Sequence, residues 1–254
     1  MILLIDIGNT SIKAGLADRD AIQDSFRIDV HKEPVEDIFE KIHASLQTKG
    51  VEKPEGAAVC SVVSHTGSLI FDGIKRKFSI NPLEVSPLMR TGLKFSIENT
   101  ETLGADRIAN AVAARRLYAG NLLIIDFGTA TTFCIVSETN EYLGGSIMPG
   151  IGMSVDALHE KTAGLPRTEL RLPERAIGKN TDENILSGIL YGHAGAVQRI
   201  TEEIKKELNA DISIIATGGY ADLLIPFIPI EHINPMLTLE GLRLLYSMNE
   251  SCLK

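Results

Sequence analysis

Two short stretches of the chain place a carboxylate, a glycine and a hydroxyl or amide in the same order. Residues 3–10 read LLIDIGNT and residues 122–129 read LLIIDFGT, which sets Asp6 and Asp126 120 positions apart. Glycine lets backbone approach a ligand closely, and the hydroxyls of Thr10, Thr129 and Thr131 and the amide of Asn9 are donors that phosphate oxygens accept. A carboxylate beside each turn suits a hard cation that offsets phosphate charge, directly or through its water. Either turn alone is an ordinary hairpin signal. Two copies with matched flanks, half a chain length apart, point instead to a grip on one polyphosphate. A third carboxylate, Asp106, belongs to neither turn. It opens the helical stretch ADRIANAVAARRLY, where amides and helix dipole favour its ionised form, and Arg107 beside it suits a substrate carboxylate. From the residues alone, Asp106 reads equally as a base for a phosphoryl acceptor and as a plain N-cap followed by a surface arginine. Ala109, three positions on, excludes a capping box.

The elements that must position these groups occur twice in one order. After the first turn, SIKAGLA and IQDSFRI read as strands, PVEDIFEKIHASL as a helix, GAAVCSVV as a strand and GSLIFDGIKRKF as a helix. After the second turn, TTFCIVS and EYLGGSIM read as strands, GMSVDALHEKTA and residues 181–208 as helices, ISIIATGG as a strand and ADLL as a helix. A three-strand meander followed by alternating helix and strand predicts an α/β fold with mixed sheets and helices on both faces. Its repetition predicts two similar lobes with a cleft between them, the turns facing each other across it. The boundary falls at YAGN, giving lobes of 1–118 and 119–254, although the final helix LEGLRLLYSM has the option of folding back on the first lobe.

Composition narrows the classes further. A 254-residue chain with 44% hydrophobic residues and 23% charged ones is an ordinary globular protein. A net charge of −8, with basic residues in short pairs such as Arg115-Arg116 and Lys205-Lys206, disfavours nucleic acid. Cys60, Cys134 and Cys252 are few, odd in number and far apart, which suits a reducing compartment and idle thiols. MILLID lacks a basic leader region, and no apolar run nears the roughly 20 residues of a membrane span, so the expected location is the cytoplasm without a membrane partner. No P-loop and no G-x-G-x-x-G follows the first strand, the DFG at Asp126 lacks the other kinase-loop motifs, and HEK at His159 lacks a second zinc histidine. Thr181 after Asn180 is open to a capping explanation, and His193 reads as packed within a helix. The glycines 144, 145, 150 and 152 read as turn formers or as ligand contacts.

From DIGNTSIK through SVV, GADRIANA, DFGTATTF, YLGGSIMPG, TAGLPRTEL, GKNTDENILSGILYG and ATGGYA to NPMLTLEGLRLLY, the chain resembles type III pantothenate kinases of the acetate kinase, sugar kinase, Hsp70 and actin superfold. The resemblance implies two ribonuclease-H-like lobes and ATP-dependent phosphorylation of pantothenate to 4'-phosphopantothenate, the first step of coenzyme A biosynthesis. It implies a first phosphate motif at Asp6, Ile7, Gly8, Asn9, Thr10, Ser11, Ile12 and Lys13, and a second spanning Asp126 to Thr131 with Thr129 as a contact. It implies an acceptor motif at Gly104, Ala105, Asp106 and Arg107, with Asp106 as catalytic base, and a further acceptor contact at Thr181. Potassium or ammonium at Asp126, a divalent ion such as magnesium with the ATP, adenosine near Gly218 and Gly219, and a homodimer with sites near the subunit interface follow from it too.

The chain departs from that family pattern in two places. A Tyr and a Pro that commonly precede GADR are replaced by Ile97 and Thr100, and an aspartate that usually follows GTATTF is replaced by Cys134. Two other classes compete with the kinase: an ATPase switch with water in place of pantothenate, and a non-catalytic regulatory accessory factor on the same scaffold. Retention of GADR speaks against both.

Overall fold

Strand β1 (Ile2–Ile7) is buried at every position except Asp6, so the chain's first carboxylate stands where a core strand surfaces. The computed structural model describes residues 1–30 and 35–252. The predicted helix start at Pro34 and the side chain of Cys252 lie outside the described residues. The chain divides into unit 1, Met1–Leu117 with Asn140–Tyr142 and Met236–Lys254, and unit 2, Tyr118–Thr139 with Leu143–Pro235.

In unit 1, β1 pairs antiparallel with β2 (Ser11–Ala17), which pairs antiparallel with β3 (Ile22–Asp29). After α1 (Val35–Thr48), β4 (Gly56–Ser61) lies parallel to β1; after α2 (Ser64–Phe78), β5 (Leu83–Glu84) lies parallel to β4. The sheet order is β3-β2-β1-β4-β5. Alternation divides β1: Leu3, Ile5 and Ile7 enter the core with Ile38, Ile42, Ile70 and Ile74 of α1 and α2, leaving Asp6 on the other face. A short strand, β6 (Lys94–Phe95), precedes α3 (Ala105–Leu117).

Unit 2 repeats the plan. β7 (Asn121–Phe127) pairs antiparallel with β8 (Ala130–Val136), and β9 (Glu141–Pro149) follows. Helices α4 (Ile151–Lys161) and α5 (Thr181–Leu208) lead to β10 (Ile212–Thr217), parallel to β7. α6 (Ala221–Leu224) and β11 (His232–Ile233) complete it, in the order β11-β10-β7-β8-β9. Read from its meander edge, this run of five strands has the order of unit 1, and β6 pairs parallel with the start of β9 as a sixth, so the repeat extends from the turns to five strands of the sheet.

The last helix, α7 (Leu237–Asn249), belongs to unit 1, whereas division at 118/119 puts it in the second lobe. The reason is packing on α3. Thr238 Oγ1 donates to the buried Asn110 Oδ1 at 2.8 Å, and a side chain in place of Gly241 would collide with the Ala109 backbone. The alanine-rich α3 lets two helices approach this closely only because the facing residue has no Cβ. β5, β6 and β11 carry no usable periodicity at two residues each, and their strand character is set by the neighbours they pair with. No helix among the described residues is long and apolar enough to cross a membrane.

Candidate active site

Register assembles the acidic centre of unit 1. Asp6 lies level with Lys13 on β2 and with Cys60 on β4, and Lys13 is level with Arg27 on β3. Residues level on adjacent strands share a face, so one row runs Arg27, Lys13, Asp6, Cys60. The Cys60 thiol donates to Asp6 Oδ1 at 3.2 Å. Burial and then the negative charge of Asp106 push the Asp6 carboxyl up to about 6, against the Cys60 hydrogen bond and the charges of Lys13 and Arg27. Asp106, more than 90 residues away in sequence, is therefore an electrostatic neighbour of Asp6. Burial and both carboxylates raise the Cys60 thiol well above its ordinary value, so it stays a protonated donor.

Asp106 is the second residue of α3, inside the first turn and not at its cap, which falls at Gly104. Its Oδ1 accepts from the Arg107 backbone N–H at 2.9 Å, one of the amides that a helix start leaves without an intrahelical partner. Burial raises its pKa, while that amide and the Arg107 charge oppose the rise. A Cβ at position 104 would sit 2.5 Å from Asp106 Oδ1, so the glycine of GADR clears the space that the carboxylate occupies. The Arg107 guanidinium lies 5.9 Å from the ring centroid of buried Tyr142, which itself contacts Phe95. Tyr142 is an aromatic support for Arg107 that sequence reading missed, although YLGG was among the family segments.

The two turns differ by one residue. In the first, Gly8 N–H donates to Ser11 O at 3.0 Å and Ile7 pairs with Ile12; in the second, Gly128 N–H donates to Ala130 O at 3.2 Å and Phe127 pairs with Thr131. Four residues separate the first pair and three the second. Asn9 is exposed and Gly8, Thr10, Ser11 and Lys13 are half-buried, while Ile7 and Ile12 are core side chains that leave a ligand only their main chain.

In unit 2, Asp126 stands level with Thr132 of β8 and Thr217 of β10. The second turn is held from two sides: Gly150 N–H donates to Thr129 O at 3.1 Å and Tyr220 N–H to Phe127 O at 3.0 Å. Gly218 has φ +95, and a Cβ there would lie 2.5 Å from Asp126 Oδ1 and from the Phe127 backbone. The TGG segment thus presses on the turn in a conformation open to glycine. Next to it, Gly152, Val155, Asp156, Arg167, Thr168 and Tyr220 line a pocket of about 460 Å³.

Two expectations change in unit 2, and a third residue, Cys134, acquires its setting. Thr131, read as a phosphate donor, is 1% exposed, and its Oγ1 lies 2.9 Å from His193 Nε2. Thr129, at the turn itself, is half-buried and keeps solvent exposure that Thr131 lacks. Thr181 is exposed and is not the cap of α5. Asn180 Oδ1 accepts from Glu183 N–H at 2.9 Å and Asn180 Nδ2 donates to Glu183 Oε1 at 2.9 Å, so capping does not account for the Thr181 hydroxyl. Cys134 is 2% exposed, level with Ile124 in the hairpin interior, a setting in which an aspartate would be a buried charge.

Residues 2–203 match the family described as Type III pantothenate kinase. A type III pantothenate kinase of Exiguobacterium sp. is 41% identical over 254 residues, covering 98% of this chain and all of that protein. Among solved structures, a Baf family transcriptional activator from Campylobacter jejuni superposes with a TM-score of 0.62 at 20% identity, over 98% of this chain and 99% of that one. The activator of 2-hydroxyisocaproyl-CoA dehydratase from Clostridium difficile, with bound ADPNP, reaches 0.55 at 14% identity, over 99% and 95%. At those identities the two structures establish the shared fold and nothing of activity. Full-length identity above 40% and a family match over most of the sequence do more: this chain belongs to the type III pantothenate kinase family.

Proposed function

We propose that this protein transfers the γ-phosphoryl group of ATP to the primary hydroxyl of pantothenate, yielding 4'-phosphopantothenate and ADP at the entry to coenzyme A biosynthesis. The observation that carries the reading is Asp106: a carboxylate with raised proton affinity, held at a helix start by the Arg107 amide and seated where Gly104 leaves room. A base of that kind accepts the hydroxyl proton as the oxygen forms its bond to the γ-phosphorus and the bond to ADP breaks. Arg107, steadied by Tyr142, pairs with the pantothenate carboxylate, and Thr181 is a second acceptor contact.

The stretch Asp6 to Lys13 and Thr129 hold the nucleotide phosphates. Asp126 would take a monovalent cation, potassium or ammonium: its carboxylate, at the end of β7 and level with Thr132 and Thr217, is a hard oxygen ligand of the kind such ions accept. Among the described residues no group of three or more His, Cys, Asp and Glu is placed to hold a metal, so a magnesium ion would depend on the ATP phosphates and water for most of its ligands. When bound, the cations neutralise phosphate charge. The buried thiols of Cys60 and Cys134, neither in a disulfide, accord with a cytoplasmic location, and the family resemblance with a homodimer.

Coupled ADP release with and without pantothenate tests the reading. Pantothenate-stimulated release, with a product heavier than pantothenate by one phosphoryl group in mass spectrometry, bears it out. Release that ignores pantothenate means an ATPase, and no release means a binding protein.

A further inference from the structure

We propose that His193 is a positioning residue for the second phosphate turn, bracing the hairpin from which Thr129 reaches the nucleotide. The inference rests on the reading of Thr129 as a phosphate contact. His193 projects from α5 and is 5% exposed. Its Nε2 shares a hydrogen with Thr131 Oγ1 across 2.9 Å, and its ring lies 6.4 Å from the Phe127 ring, tilted by 56°. Phe127 and Thr131 are the paired residues that close the hairpin around Gly128, Thr129 and Ala130. One imidazole therefore touches both ends of the turn.

The chemistry of the contact suits a brace. Burial holds the His193 pKa below the ordinary histidine value, so near neutral pH the ring offers one donor and one acceptor. Thr131 is 1% exposed, so its hydroxyl has no ready exchange with bulk water. Without His193, a buried hydroxyl loses its partner beside the turn, and a buried group left unpaired drives local rearrangement. The turn is also tied by Gly150 N–H to Thr129 O and by Tyr220 N–H to Phe127 O. Losing the Thr131 tie therefore loosens the Thr131 end of the turn and leaves the ties to Thr129 and Phe127 in place.

Calorimetric affinity for a non-hydrolysable ATP analogue tests this directly, because it does not depend on transfer to pantothenate. His193→Phe keeps ring volume against Phe127 and removes the hydrogen bond. We expect its nucleotide Kd to weaken about five- to tenfold, the equivalent of one lost hydrogen bond, with pantothenate KM changed less than twofold. Thr131→Val should weaken the analogue to the same degree, and the double variant no further. His193→Asn, which keeps a donor and an acceptor, and Thr131→Ser should recover most of the affinity. If His193→Phe does not fold, Thr131→Val against Thr131→Ser carries the same comparison. A fall in melting temperature with nucleotide affinity unchanged, or additive effects in the double variant, overturns the assignment. Absence of pantothenate-stimulated ADP release from the wild type, with analogue binding intact and His193-dependent, would instead count against the kinase reading alone.

Discussion

Replacing Asp106 with asparagine separates the base from its scaffold. Asparagine has nearly the same shape and still presents an oxygen to the Arg107 amide, whose bond to Asp106 measures 2.9 Å, so the start of α3 is retained. What is lost is the charge that, in the proposed mechanism, accepts the hydroxyl proton. General-base catalysis contributes about 10²- to 10⁴-fold, or roughly 3–5 kcal/mol of barrier, and kcat for phosphoryl transfer should fall by that factor. The substitution has a second, independent signature. Asp106 is the second largest cause of the raised Asp6 pKa, after burial, so its neutralisation must lower that pKa from about 6 toward the ordinary value. The assay is steady-state ADP release, with calorimetric binding of a non-hydrolysable ATP analogue and a carboxyl-region NMR titration of Asp6. A kcat within twofold of wild type would remove Asp106 from the chemistry, and an unmoved Asp6 titration would remove it from the acidic pair.

Asp6→Asn should trade activity for stability. A carboxyl with folded pKa about 6 against 3.8 is penalised as an anion; the penalty is absent below pH about 3.8, grows as pH rises and is complete above about 6. The variant should therefore gain up to about 3 kcal/mol in denaturant unfolding at pH 8 and nothing at pH 3.5 while losing nucleotide affinity, and an equal gain at both values would refute the electrostatic cause. Cys60→Ala removes the thiol donor that lowers the Asp6 pKa, so the Asp6 titration should move further up, while Cys60→Ser should leave it near the wild-type position. Activity should rise when potassium replaces sodium at constant ionic strength, and a dimeric enzyme indifferent to the exchange would falsify the role given to Asp126. Cys134→Asp should leave that response alone and cost about 2 kcal/mol or more of stability, since it buries a carboxylate beside Ile124; a thermal melt decides it.

What sequence alone determined here is local. The apolar runs of β1 and β7 broken by Asp6 and Asp126, the turns after them, and the span of α5 from Thr181 to Leu208 were legible, because buried-strand runs, turn chemistry and helix limits depend on neighbours a few residues away. The candidate carboxylates were legible for a related reason: an Asp that interrupts an apolar strand or starts a helix announces itself in one dimension. Tertiary structure decided which of these groups meet. Cys60 reaches Asp6 across 54 residues through the parallel register of β4 on β1, and His193 takes the hydroxyl of Thr131 across 62 residues. Nothing near either residue encodes its partner, and Cys60 alone reads as an idle thiol, His193 as core. The place of α7 was likewise undecided until Gly241 met the backbone of Ala109. Periodicity states that a helix has an apolar face; which other face is shaped to accept it is settled only by close packing of segments brought together in the fold.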